Sequence, residues 1–160
     1  MSIDSDLLVL QHHLNKKLEV DASLVITLQQ SILQEKALVI WPWLIESSIW
    51  QKIPTRVDRA ELTRQRPLQS KIHLLILSND LNLLFRARTL LHEEQVLPID
   101  DARQLRIGFN PLTTEQMCSI FLASGVPMQA SLSLILESIV FATEPETAPH
   151  IELPVESVTY

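Results

Sequence analysis

The chain has 160 residues and a formal net charge of −6, from 13 basic and 19 acidic side chains, with a mean hydropathy of +0.15. That length fits one domain able to bury roughly two-thirds of its unfolded surface, and an apolar content of 46% excludes an unfolded polar chain. The acidic balance, with no Lys/Arg run longer than two, argues against nucleic acid as a partner. Arg56, Arg59, Arg64, Arg66 and Lys71 are interleaved with Asp58 and Glu61 and read as a mixed-charge surface.

Cys118 is the only cysteine, so neither an internal disulfide nor a Cys-rich metal site is possible, and a reducing cytoplasm suits the chain. The acidic start lacks the marks of a signal peptide. The longest apolar runs, such as Ala37 to Trp41 and Leu74 to Leu77, fall far short of the ~20 residues that span a bilayer. A soluble protein without membrane insertion is expected.

Leu7, Leu10, Leu14 and Leu18 recur at spacings of three and four, which predicts an amphipathic helix over 4–18 with Asp4 or Ser5 at its start. Residues 21–34 fit both periods: Leu24, Ile26 and Leu28 alternate as in a strand, while Leu24, Leu28 and Ile32 suit a helix. Trp41, Trp43 and Trp50 fall within ten residues, among Pro42 and Pro54. The prolines exclude a continuous helix and confine any strand to short or edge pieces. The rings either fill gaps in the core or anchor an interface.

Ile72, Leu74 and Ile76 mark one face of a strand over 70–77, with Leu75 and Leu77 on the other. Asn79 or Asp80 then caps a helix whose stripe is Leu83, Leu84, Ala87, Leu90 and Leu91, ending near Glu94. Leu105, Ile107 and Phe109 alternate with polar residues and predict a one-sided strand. Thr113 with Gln116 forms a capping box, flanked by Leu112 and Met117, and Gly125 followed by Pro127 ends that helix. Ser131 to Phe141 reads as a long strand. From Glu144 the prolines at 145, 149 and 154 leave no periodic apolar face.

The expected organisation is one α+β domain over 1–143, a single mixed or antiparallel sheet with helices mainly on one face, followed by an extended Pro-containing tail over 144–160.

No catalytic chemistry emerges. Gly108 and Gly125 are the only glycines, too few for a phosphate-cradling loop. His12, His13, His73, His92 and His150 form no zinc motif, and no metal or other cofactor is expected. Cys118 reads as a helix-packing residue. The neighbouring pairs Glu93-Glu94 and Asp100-Asp101 read as solvated charge. The expectation is a protein that is not an enzyme. The other class open to it is a small ligand-binding or regulatory adaptor, which requires a concave apolar pocket.

An ordered set of blocks over 66–143 resembles the N-terminal domain of the sheath-terminating cap proteins of phage-tail-like contractile injection systems. Arg66-Pro67-Leu68 opens into the strand Lys71 to Leu77, and a helix closes through Leu90-Leu91-His92-Glu93-Glu94. Leu105 to Gln116 follows as strand, turn and capped helix, and Met128 to Leu134 begins the last strand. Ile120 and Phe121 stand where that family often has a tryptophan, and Leu134 or Leu136 where it usually has a tyrosine. The resemblance implies a tail terminator with no catalytic residues. It further implies a ring, a homohexamer, closing the end of an inner tube and sheath, with those proteins as partners in a particle assembled in the cytoplasm. Trp41, Trp43 and Trp50, with Ile151, Val155, Val158 and Tyr160 of the tail, are the candidate assembly contacts; the tail can be laid on a neighbour as an added strand.

Overall fold

A computed structural model describes residues 3–47 and 70–140. Trp50 and everything assigned above to the tail lie outside the described residues.

The element order is α1 (Ile3–Leu18), β1 (Ala22–Leu24), α2 (Gln30–Glu35), β2 (Leu38–Ser47), β3 (Ser70–Leu77), α3 (Leu81–Glu93), β4 (Val96–Asp100), β5 (Arg103–Phe109), α4 (Thr114–Ser124) and β6 (Ser131–Val140). The six strands form one mixed sheet in the order β1-β2-β3-β6-β5-β4. β1 runs parallel to β2 and every other pairing is antiparallel. This is an α+β fold.

Strand alternation divides the core in two. Leu38 and Ile40 of β2, Ile72, Leu74 and Ile76 of β3, Leu134 and Leu136 of β6, and Leu105 and Ile107 of β5 share the larger cluster. Its cover comes from the stripes of the two longest helices, Leu7, Leu10, Leu14 and Leu18 of α1 and Leu83, Leu84, Ala87 and Leu91 of α3. On the opposite face Val39, Trp41, Leu75 and Leu77 meet Leu28, Leu33, Phe121 and Val126. The two smaller helices, α2 and α4, supply part of that second cover. Each fully buried leucine contributes about 1.5–3 kcal/mol relative to exposure.

The caps follow from side-chain chemistry. Asp80 Oδ1 accepts from the Asn82 amide (2.9 Å), and Asn79 Nδ2 donates to the Leu33 carbonyl, tying α3 to α2. Thr113 Oγ1 accepts from the Gln116 amide (3.2 Å), while Gln116 Oε1 accepts from the Thr113 amide (3.0 Å). Gly125 takes φ 73 at the end of α4, a left-handed conformation that only glycine adopts without strain. At the end of α1 that role falls to Glu19, with φ 53. Neither expected starter caps α1: Asp4 and Ser5 lie inside the helix, and Asp4 and Asp6 favour its positive N-terminal end.

Two prolines lie within strands, and Pro42 corrects the expectation that any strand around it is short or at an edge. Pro42 lies within the ten-residue, interior strand β2, where the pairing with β3 shifts between Pro42 and Leu44. A bulge accommodates the missing donor. Pro98 lies in the edge strand β4. The Ile107 amide donates to the Gln95 carbonyl (2.7 Å), and Val96 and Pro98 stand opposite Arg106 and Gln104. Antiparallel alternation therefore points the backbone of Val96 and Pro98 outward, and at Pro98 that edge has no N–H to offer. At the other edge, α1 occupies the outward backbone of Ala22: its amide donates to Asn15 Oδ1 and its carbonyl accepts from Gln11 Nε2, each at 2.7 Å.

Candidate functional site

The second face of the sheet is covered at one end and open at the other. Its cross-strand register gives four successive rows. Val39, Leu77 and Ser131 form the first, and Trp41, Leu75 and Ser133 the second, both within the core under α4. Leu44, His73, Ile135 and Gly108 form the third, with Trp43 bulged beside them. The fourth is Glu46, Lys71, Glu137 and Arg106, alternating in charge across four strands. Lys71 Nζ lies 2.9 Å from Glu137 Oε1, and the hydrogen bond from Lys71 to that carboxylate is the main reason the lysine pKa is raised. Opposite charges facing across strands stabilise a sheet by a few tenths of a kcal/mol to about 1 kcal/mol.

The tryptophans divide between inside and outside. Trp41 is buried, packs at 6.4 Å from Phe121 and donates from Nε1 to the Ile26 carbonyl (3.3 Å). It serves the second core cluster. Trp43 is half-buried at the border of the second core cluster, against which it packs, its ring 5.5 Å from that of His73. His73 is largely enclosed. It is 9% exposed, beside Trp43, with Nε2 3.2 Å from Glu46 Oε2.

Cys118, read from sequence as a packing residue, is instead exposed on the outside of α4, with Sγ 3.8 Å from Met128 Sδ. Leu122 and Met128 are also exposed there. No group of three or more His, Cys, Asp or Glu side chains able to hold a metal occurs among the described residues, and no helix among them is long and apolar enough to cross a membrane.

On the other side of the molecule, α1, α3 and β4 meet at Glu94. This carboxylate lies 2.7 Å from His13 Nε2 and 3.1 Å from Lys17 Nζ. Sequence spacing could not join residues that lie this far apart along the chain, and Glu94 read there as solvated charge. The hydrogen bond from Lys17 leads the causes that hold its pKa below 4.5. Burial dominates at His13 and lowers its pKa from 6.5, outweighing the attraction of Glu94; Lys17 and His12 add to the lowering.

Protonating His13 is therefore harder in the folded than in the unfolded chain. Its contribution to stability is complete above pH 6.5 and lost as the pH falls below that value. Glu94 contributes above pH 4.5 and loses its contribution as the pH falls through its lowered value. Asp6, raised above 3.8 by burial, has the opposite sign: its contribution is full below pH 3.8 and lost as pH rises. Urea unfolding between pH 7 and pH 5 should show declining stability that His13→Gln flattens; a wild-type slope in that variant would contradict the assignment.

No family model matches the chain, and no curated protein does. Solved structures do. The sheath/tube terminator, in the extended state, of the extracellular contractile injection system PVC superposes with a TM-score of 0.61 at 11% identity, over 100% of this chain and 64% of that one. The tube-terminating cap of the anti-feeding prophage superposes with a TM-score of 0.52 at 14% identity, over 98% of this chain and 58% of that one. The chain spans less than two-thirds of the length of either. It carries a tail-terminator-like fold, shared with proteins that end the sheath or tube of contractile injection systems.

Proposed function

We propose that this chain is a non-catalytic cap of a contractile injection system, in which identical copies form a ring, six in number, that closes the end of the inner tube and sheath. The observation that carries this reading is the superposition of essentially the whole chain on a sheath/tube terminator and on a tube-terminating cap. A closed ring suits the task, because head-to-tail contacts are exhausted once the rotation closes and no binding surface is left to extend the tube.

Within this reading residues 1–143 form the ring body and 144–160 an arm. Trp43 with Trp50, and Ile151, Val155, Val158 and Tyr160 of the arm, make the contacts between copies or with sheath and tube. Trp41 is left to the interior of each copy. The particle is assembled in the cytoplasm.

Electron microscopy of particles from cells lacking this chain tests the proposal. Tubes and sheaths of irregular length with unclosed ends are expected, restored by supplying the chain in trans. Closed particles of normal length without it would overturn the reading.

A further inference from the structure

The basic residues of the described chain are unevenly placed. Lys16 and Lys17 end α1, and Arg86 and Arg88 lie along α3. Between these helices runs an open groove of about 500 Å³, lined among others by Lys17, Leu18, Phe85, Arg86, Leu90 and Glu93. Exposed apolar area continues along α3 beside it. Phe85 is 65% and Leu81 66% exposed, one turn apart, and the Arg88 guanidinium lies 5.8 Å from the centre of the Phe85 ring. Lys17 is engaged by Glu94. Lys16 and Arg86 have no ion-pair partner among the described residues. The groove thus combines the exposed Phe85 ring with one lining cation, Arg86, that has no ion pair among the described residues.

The sequence supplies a complement. Residues 144–160 carry Glu144, Glu146, Glu152 and Glu156 with no lysine or arginine, and place Ile151, Val155, Val158 and Tyr160 between and beyond these acids. The point of departure also fits. α3 runs back from the end of β3, so Glu93 and Glu94 lie near Val96, which shares a row with Arg106 and Glu137. β6 ends three residues after Glu137, at Val140. The chain therefore leaves the sheet at the end where the groove opens beside Lys17, and seventeen extended residues reach up to about 56 Å.

We infer that residues 144–160 dock in the groove between α1 and α3, apolar side chains against Phe85 and Leu90 and glutamates against Arg86, with Arg88 beside the Phe85 ring. This deepens the arm assigned above and is independent of the ring. The test uses the full chain with Cys118→Ser as background. Phe85→Cys combined with Val155→Cys should form a disulfide under mild oxidation, whereas Leu122→Cys, more exposed on α4, should not with the same arm cysteine.

A faster-migrating monomer or a covalent dimer, the latter also on mixing the two single-cysteine chains, supports docking within or between copies. Arg86→Glu with Arg88→Glu should lower the Phe85–Val155 yield about five-fold, and Glu152→Arg with Glu156→Arg should restore it. Equal yields at Phe85 and Leu122, indifference to charge reversal, or capture at Phe85 of a different protein in assembled particles would each overturn the inference. Cross-linking reads docking in purified protein, so its failure leaves the microscopy of particle ends unaffected, and the converse also holds.

Discussion

Trp41→Ala should destabilise the fold by about 3–5 kcal/mol, seen as a lower urea midpoint with an unchanged slope. The ring fills the space between β2 and Phe121 of α4, and its removal also leaves the Ile26 carbonyl without the indole donor. α4 buries little else, with Phe121 its one buried side chain, so the surrounding structure has few means of closing the cavity. Trp43→Ala, two residues along the same strand, should cost well under half as much, because its ring is only half-buried and its neighbours His73 and Leu44 border open surface. In the proposed ring the effect of Trp43→Ala falls on assembly instead. Equal destabilisation by the two substitutions would contradict the division of roles.

The second large effect is expected at Leu14, which is completely buried where α1 meets the main core. Leu14→Ala should cost about 2–5 kcal/mol, a large part of the ~5–15 kcal/mol that holds an ordinary domain. Leu8 lies on the outer side of the same helix and is 54% exposed. Leu8→Ala should change stability by no more than about 0.5 kcal/mol. Urea denaturation of the pair measures the orientation of α1 directly, since a rotated helix would even out the two values.

Elements whose signals are local were legible in the sequence. The Thr113/Gln116 box, the Gly125 terminator, the Asp80 cap and the stripes of α1 and α3 all stand where residue spacing put them, because each depends on neighbours within one or two turns. β3, β5 and β6 were legible from alternation. Pro42 and Pro98 hid β2 and β4, since a bulge and an edge position respectively relieve the missing donor and neither leaves a mark on the chain. Residues 21–34 were ambiguous for a physical reason: they contain a three-residue strand and a six-residue helix, each too short to establish a period.

The candidate surfaces were less legible. The alternating row of Glu46, Lys71, Glu137 and Arg106 draws one residue from each of four strands, and the meeting of His13, Lys17 and Glu94 joins α1 to the turn beyond α3. Both depend on sheet register and helix placement, which no single segment encodes. The exposure of Cys118 was missed because α4 is apolar on more sides than the sheet covers.

The closed edges also bear on how free copies behave in a crowded solution. Outward-facing backbone on β1 comes down to Leu24 once Asn15 and Gln11 hold Ala22, and on β4 it is interrupted at Pro98. Among the described residues, neither border offers the continuous cross-β ladder from which fibres grow. In the proposed ring, copies awaiting their place would be spared runaway stacking through these two borders.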